Sequence, residues 1–160
     1  MTVLVLVGAI LLVGAGAAKV LRPDDTARAL RWSPAVVRAG ALGEVIVGAG
    51  AAAVGGPVLI GAMAASYAGF AGFVLVALAR GWPLSTCGCF GEPDTPPTVL
   101  HVVIDAGLAL AAVGGIDGPA PLRAAWDRPA WGAAVLVLSG VTAGLAYLAL
   151  ARLPRLRSVS

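Results

Sequence analysis

The chain has 160 residues, of which 59% are apolar and only 12% charged, and its mean hydropathy is +0.94. Soluble domains carry about 25% charged residues, so this composition excludes a disordered chain, a nucleic-acid-binding domain and a soluble enzyme, and leaves an integral membrane protein. The net charge of +3 does not argue for a nucleic-acid partner, because the charges lie between the apolar stretches.

Val3 to Val20 is an apolar run with Lys19 at its end, followed by the polar segment Arg22-Pro23-Asp24-Asp25-Thr26-Ala27-Arg28, which predicts a first membrane span. The alternative for residues 1–18 is a secretory signal peptide, with Ala15-Gly16-Ala17 mimicking a cleavage site, but no basic region precedes it. Trp32 marks a short surface helix in the first loop. Val45 to Ala79 is free of charge for 35 residues, too long for one helix, and Gly55-Gly56-Pro57 is a turn signal that divides it into spans over 38–55 and 58–79. After the Pro- and Gly-rich segment 80–98, Leu100 to Ile116 predicts a fourth span. Asp117 to Ala130, punctuated by Pro119, Pro121 and Pro129, leads to a fifth over Trp131 to Ala151.

The fold class that follows is all-α, a polytopic helical membrane bundle, divided into a four-helix core over 1–116 and a loop, fifth helix and basic tail over 117–160. Glycine (22) and alanine (34) make up about a third of the chain, and small residues let helices approach closely in lipid. The spacings Gly61, Ala65, Gly69 and Gly140, Gly144 read either as packing seams, one of them a homo-oligomer face, or as composition alone. Trp82, Trp126 and Trp131 sit near span ends, as interfacial anchors do.

Lysine and arginine set orientation. Lys19, Arg22, Arg28, Arg31, Arg38, Arg80, Arg152, Arg155 and Arg157 share one side if the chain crosses five times, against Arg123 and Arg128 on the other. This predicts a plasma (inner) membrane protein with its N-terminus outside and both the 80–98 loop and the tail cytoplasmic.

The loop holds both cysteines, in Cys87-Gly88-Cys89-Phe90-Gly91. Two thiols one glycine apart can close a strained, labile disulfide suited to exchange. The other readings are a two-thiolate contact for a soft ion, short of the four ligands of structural zinc, or inert loop cysteines. Arg80 favours a thiolate, as does the helix N-terminus capped by Thr98, while Glu92 and Asp94 oppose it. Glu44 lies six residues past Arg38 and Asp105 seven past Thr98, depths of about 9 and 10 Å along their helices. Carboxylates at that depth in lipid are paired or functional. His101 and Asp105, four apart, share one helix face and could together move a proton to or from a thiol. Lys19 either pairs with Glu44 or Asp105 or snorkels to the interface. These groups predict a polar pocket beneath the Cys loop, opening toward the cytoplasm.

The chain resembles the MauE family, small membrane proteins of methylamine utilisation related to the DoxX-like four-helix proteins. The resemblance covers about residues 1–116 and rests on Ala17-Ala18-Lys19, Pro23, Glu44 and, most specifically, Arg80-Gly81 followed by Cys87-Gly88-Cys89-Phe90-Gly91. Where the family commonly has an Arg-Asn pair in its fourth helix, this chain has Ile104-Asp105. The resemblance implies a role in maturing the disulfide-rich small subunit of methylamine dehydrogenase, with a thioredoxin-like partner outside the membrane, a sidedness opposite to the basic-residue count.

The functional expectation is a thiol–disulfide redox protein exchanging with a thioredoxin-like protein or a small thiol. Cys87, Cys89, His101 and Asp105 do the chemistry, and Lys19, Glu44 and Arg80 shape the pocket. No cofactor is specified; a single pair cannot carry electrons across a bilayer, so a quinone is the candidate second carrier. The rivals are a small-molecule or metal transport or binding protein, in which Lys19, Glu44 and Asp105 line a path, and a structural subunit.

Overall fold

The computed structural model describes residues 1–82 and 98–151. Among these the chain forms seven helices and no strand: α1 (Thr2–Leu21), α2 (Pro23–Leu30), α3 (Pro34–Ala53), α4 (Gly56–Ala79), α5 (Val99–Gly114), α6 (Pro121–Trp126) and α7 (Pro129–Ala151). Four of them, α1, α3, α4 and α7, are long and apolar enough to cross a membrane. The predicted fourth span, α5, has 16 residues and is about 24 Å long, below the roughly 30 Å of a hydrocarbon core.

Each boundary follows from local chemistry. Pro23 occupies the first turn of α2, where its missing N–H costs nothing, and Asp24 and Asp25 complement the positive end of the helix dipole. Arg28 pairs with Asp25 one turn back, and Arg31, at φ 58, ends α2 in the left-handed conformation. The expected surface helix of the first loop is therefore 23–30, with Trp32 beyond its end. Ser33 caps α3, its hydroxyl accepting the Val36 N–H at 3.3 Å, with Pro34 following. Gly55 and Gly56, at φ 67 and 84, make the break between α3 and α4 where the turn signal put it. A Cβ on Gly55 would also stand 2.9 Å from the Cα of Ala120 in the segment leading to α6.

The central element is α1. It buries 56% of its apolar window, against 22% for α3 and for α7, and it touches every other helix. Val5, Leu12, Ile60, Met63, Tyr67 and Ala112 join α1, α4 and α5 in one core, and the Tyr67 hydroxyl donates to the Gly8 carbonyl at 2.6 Å. On another side α1 lies against α3 at glycine contacts. A Cβ on Gly16 would meet the Ala41 carbonyl oxygen at 2.7 Å, and one on Gly48 would meet the Ala9 carbonyl oxygen at 3.0 Å. α7 closes against α1, with Val135, Ser139 and Ala143 buried.

The small-residue runs singled out in the sequence are not these seams. Among the described residues, Gly69, Gly140 and Gly144 have open space where a Cβ would stand, and Gly61 would meet only the Ile116 side chain at 3.8 Å. Large apolar side chains point outward on every long helix, among them Ile46, Val58, Val137 and Leu145. Lipid is the solvent that accommodates such a surface without cost. The protein is a multi-pass helical membrane bundle.

Candidate functional site: two buried polar pairs around Phe70

The α1–α3 contact positions the first pair. One turn beyond Gly16 on α1 stands Lys19, and three residues beyond Ala41 on α3 stands Glu44. The close approach at Gly16 brings the Lys19 ammonium within 2.5 Å of a Glu44 carboxylate oxygen. Lys19 is only 6% exposed, so it does not snorkel. Its ammonium also lies 5.2 Å from the centre of the Phe70 ring, in cation–π contact from α4. The second carboxylate oxygen, Glu44 Oε2, is buried with no hydrogen-bond partner among the described residues.

These two side chains line a cavity of about 260 Å³ between α1, α2, α3 and α4. Its other walls are mainly apolar and aromatic: Trp32, Val37, Gly40, Phe70 and Phe73. Thr26 contributes from α2. It is 4% exposed, and its Oγ1 has no hydrogen-bond partner among the described residues.

The second pair is set by the start of α5. Thr98 and His101 form a capping box at N-cap and N3. The Thr98 N–H donates to His101 Nδ1 at 3.3 Å, and the Thr98 hydroxyl lies 2.9 Å from the same nitrogen. Nδ1 either accepts from the Thr98 N–H, which leaves the neutral ring's proton on Nε2, or carries the proton and donates it to the Thr98 hydroxyl, which leaves the Nε2 lone pair available. That Nε2 is buried with no hydrogen-bond partner among the described residues, and the His101 side chain is 1% exposed. Asp105, one turn on, is 6% exposed. Together they line a cavity of about 20 Å³, room for about one water, walled by Leu12, Tyr67, Phe70, Leu108 and Leu150.

The four polar residues predicted from sequence are therefore all buried or nearly so, but they line two cavities, Lys19 and Glu44 one and His101 and Asp105 the other, rather than one pocket. Of the two partners foreseen for Lys19, Glu44 is the one it binds. Phe70 lines both cavities. Arg80 stands apart: it is exposed at the end of α4, with its guanidinium carbon 5.8 Å from the Trp82 ring centre. Cys87 and Cys89, with Glu92 and Asp94, lie outside the described residues. No group of three or more His, Cys, Asp or Glu side chains able to hold a metal occurs among the described residues. Sequence reasoning missed Thr26, Phe70 and Gly16; a threonine three residues past a helix-opening proline reads as ordinary loop polarity, and only the fold reveals its burial.

A protein-family model described as methylamine utilisation protein MauE matches residues 1–117. The chain belongs to the MauE family. No curated protein and no solved structure matches it. The match to MauE covers α1 to α5 and so contains Lys19, Glu44, His101, Asp105, the larger cavity and the Cys87-Gly88-Cys89 segment, while α6 and α7, which supplies Leu150 to the smaller cavity, lie beyond it.

Proposed function

We propose that this MauE family member is a membrane thiol–disulfide exchange protein in which Cys87 and Cys89 form the reactive pair, with His101 serving as their proton carrier. The observation that carries the reading is the state of His101: a buried imidazole, three residues into the helix that follows the cysteine segment, with Nδ1 fixed by Thr98 and Nε2 uncommitted. A ring held by one nitrogen and open at the other is the arrangement a general acid–base needs. Asp105, one turn on and also buried, is assigned the role of biasing that ring's charge state.

The exchange balances without a further oxidant when the partner is a disulfide. One cysteine, as thiolate, attacks a sulfur of a thioredoxin-like protein or a small disulfide, forming a mixed disulfide and releasing a partner thiolate. The other cysteine passes its proton to Nε2 of His101, in the tautomer whose Nδ1–H donates to the Thr98 hydroxyl, and displaces the second partner sulfur. The products are a Cys87–Cys89 disulfide and a partner dithiol, and the reverse sequence delivers a disulfide to a substrate. Family membership supports a substrate in methylamine utilisation, and assistance to disulfide formation in methylamine dehydrogenase is the role we assign. The distribution of Lys and Arg supports a cytoplasmic cysteine segment and an outside N-terminus.

Single Cys87→Ser and Cys89→Ser chains test the proposal. One of them is expected to accumulate a covalent adduct that reductant dissolves and that the double variant lacks. A binding or scaffolding subunit gives no adduct with either.

A further inference from the structure

We infer that the 260 Å³ cavity between α1, α2, α3 and α4 is a binding site for a phenol-type amphiphile, an aromatic ring whose hydroxyl is held by Thr26 and Glu44. The size is suitable, since a dry cavity of about 150 Å³ already accepts benzene and this one has room for a substituted ring. The wall is suitable too: Trp32, Phe70 and Phe73 offer aromatic faces and edges. The polar groups choose the head. Thr26 and Glu44 both line this cavity; Thr26 is 4% exposed, and its Oγ1 and Glu44 Oε2 are buried atoms with no hydrogen-bond partner among the described residues. Leaving such groups unsatisfied is costly, and a carboxylate oxygen already beside an ammonium needs a donor. A hydroxyl meets both needs at once, donating to Glu44 Oε2 and accepting from the Thr26 hydroxyl. A hydrocarbon chain or an unsubstituted ring fills the volume but meets neither. The inference does not depend on the cysteines, so it stands or falls separately from the exchange chemistry.

The test uses the Cys87→Ser/Cys89→Ser chain in phospholipid nanodiscs, with empty nanodiscs measuring partition into lipid. The probes are 4-(trifluoromethoxy)phenol and its matched ring without a hydroxyl, (trifluoromethoxy)benzene, followed by fluorine NMR. Saturable binding of the phenol, with the hydroxyl-free ring about tenfold weaker, is expected from two hydrogen bonds to otherwise unpaired groups. Thr26→Val keeps the shape and removes the hydroxyl, so it should weaken the phenol by about 3- to 10-fold and leave the other probe unchanged. Gly40→Leu fills the cavity from a position where a Cβ meets nothing within 4 Å, and it should abolish saturable binding of both. Equal binding of the two probes would make the cavity a purely apolar site, as for an acyl chain, and overturn the inference. So would the absence of saturation above empty nanodiscs, or a Thr26→Val chain that binds the phenol like the parent, a result that counts even if Gly40→Leu fails to fold.

Discussion

Replacing Lys19 with methionine should be strongly destabilising, and most of the cost should be recovered when Glu44 is changed with it. The Lys19 and Glu44 side chains are 7% and 15% exposed and meet at 2.5 Å. Removing one member of a buried ion pair leaves the other charge without compensation, a loss of about 3–5 kcal/mol. The cation–π contact with Phe70 adds about 0.5–2 kcal/mol. Partial exposure of Glu44 works the other way, so about 3 kcal/mol is the expected cost of Lys19→Met. In Lys19→Met/Glu44→Leu no charge remains, and methionine and leucine fill a comparable volume, so stability should return to within about 1.5 kcal/mol of the parent. The assay is reversible unfolding from mild micelles by added SDS, followed by far-ultraviolet circular dichroism, on both single variants and the double. A coupling of at least about 2 kcal/mol is predicted. Additive costs, with Lys19→Met below about 1 kcal/mol, would refute a buried pair and return Lys19 to the interface.

Three further outcomes follow from the geometry. Gly16→Ala pushes a methyl toward the Ala41 carbonyl oxygen and should lose about 1–3 kcal/mol in the same unfolding assay, whereas Gly140→Ala, on an open face, should gain up to about 1 kcal/mol. His101→Gln preserves the capping box, since glutamine at N3 accepts from the N-cap N–H as glutamate does; helix stability should hold within about 0.5 kcal/mol while thiol exchange slows by about 100-fold or more. His101→Ala loses the cap as well and should show both defects. Finally, a membrane-impermeant thiol reagent should modify Cys87 and Cys89 in inside-out vesicles and not in intact cells, as the basic-residue distribution predicts; labelling from the outer face alone would reverse the assigned orientation.

The spans were legible because lipid imposes one rule: backbone polar groups pair within a helix, so length and apolarity suffice to find it. The Gly55-Gly56-Pro57 break was equally readable, because positive φ at two consecutive residues requires glycine. Depth along a helix also made Glu44 and Asp105 stand out. What spacing could not supply was the partition into two pairs. Lys19 reaches Glu44 only because α1 and α3 touch at Gly16, a contact of two helices with no shared periodic mark, whereas a Cβ at the repeated small residues Gly140 and Gly144 would meet nothing within 4 Å among the described residues. His101 illustrates the same limit: its four-residue spacing to Asp105 was visible, but its use of Nδ1 in a capping box depends on where α5 begins. The length of α5 was overestimated for a related reason, because Gly115 and Ile116 are apolar in composition but lie in the turn beyond its end.

The most direct measurement is the oxidation state of the 87–89 tripeptide itself, by alkylating free thiols in growing cells, reducing, alkylating again with a heavier reagent and weighing the peptide. The account predicts a population carrying the heavy label on both Cys87 and Cys89, which falls when cells receive a permeant reductant and recovers when it is withdrawn. A peptide carrying only the light label in both states would mean that the two sulfurs never bond, and the exchange mechanism would have to be abandoned.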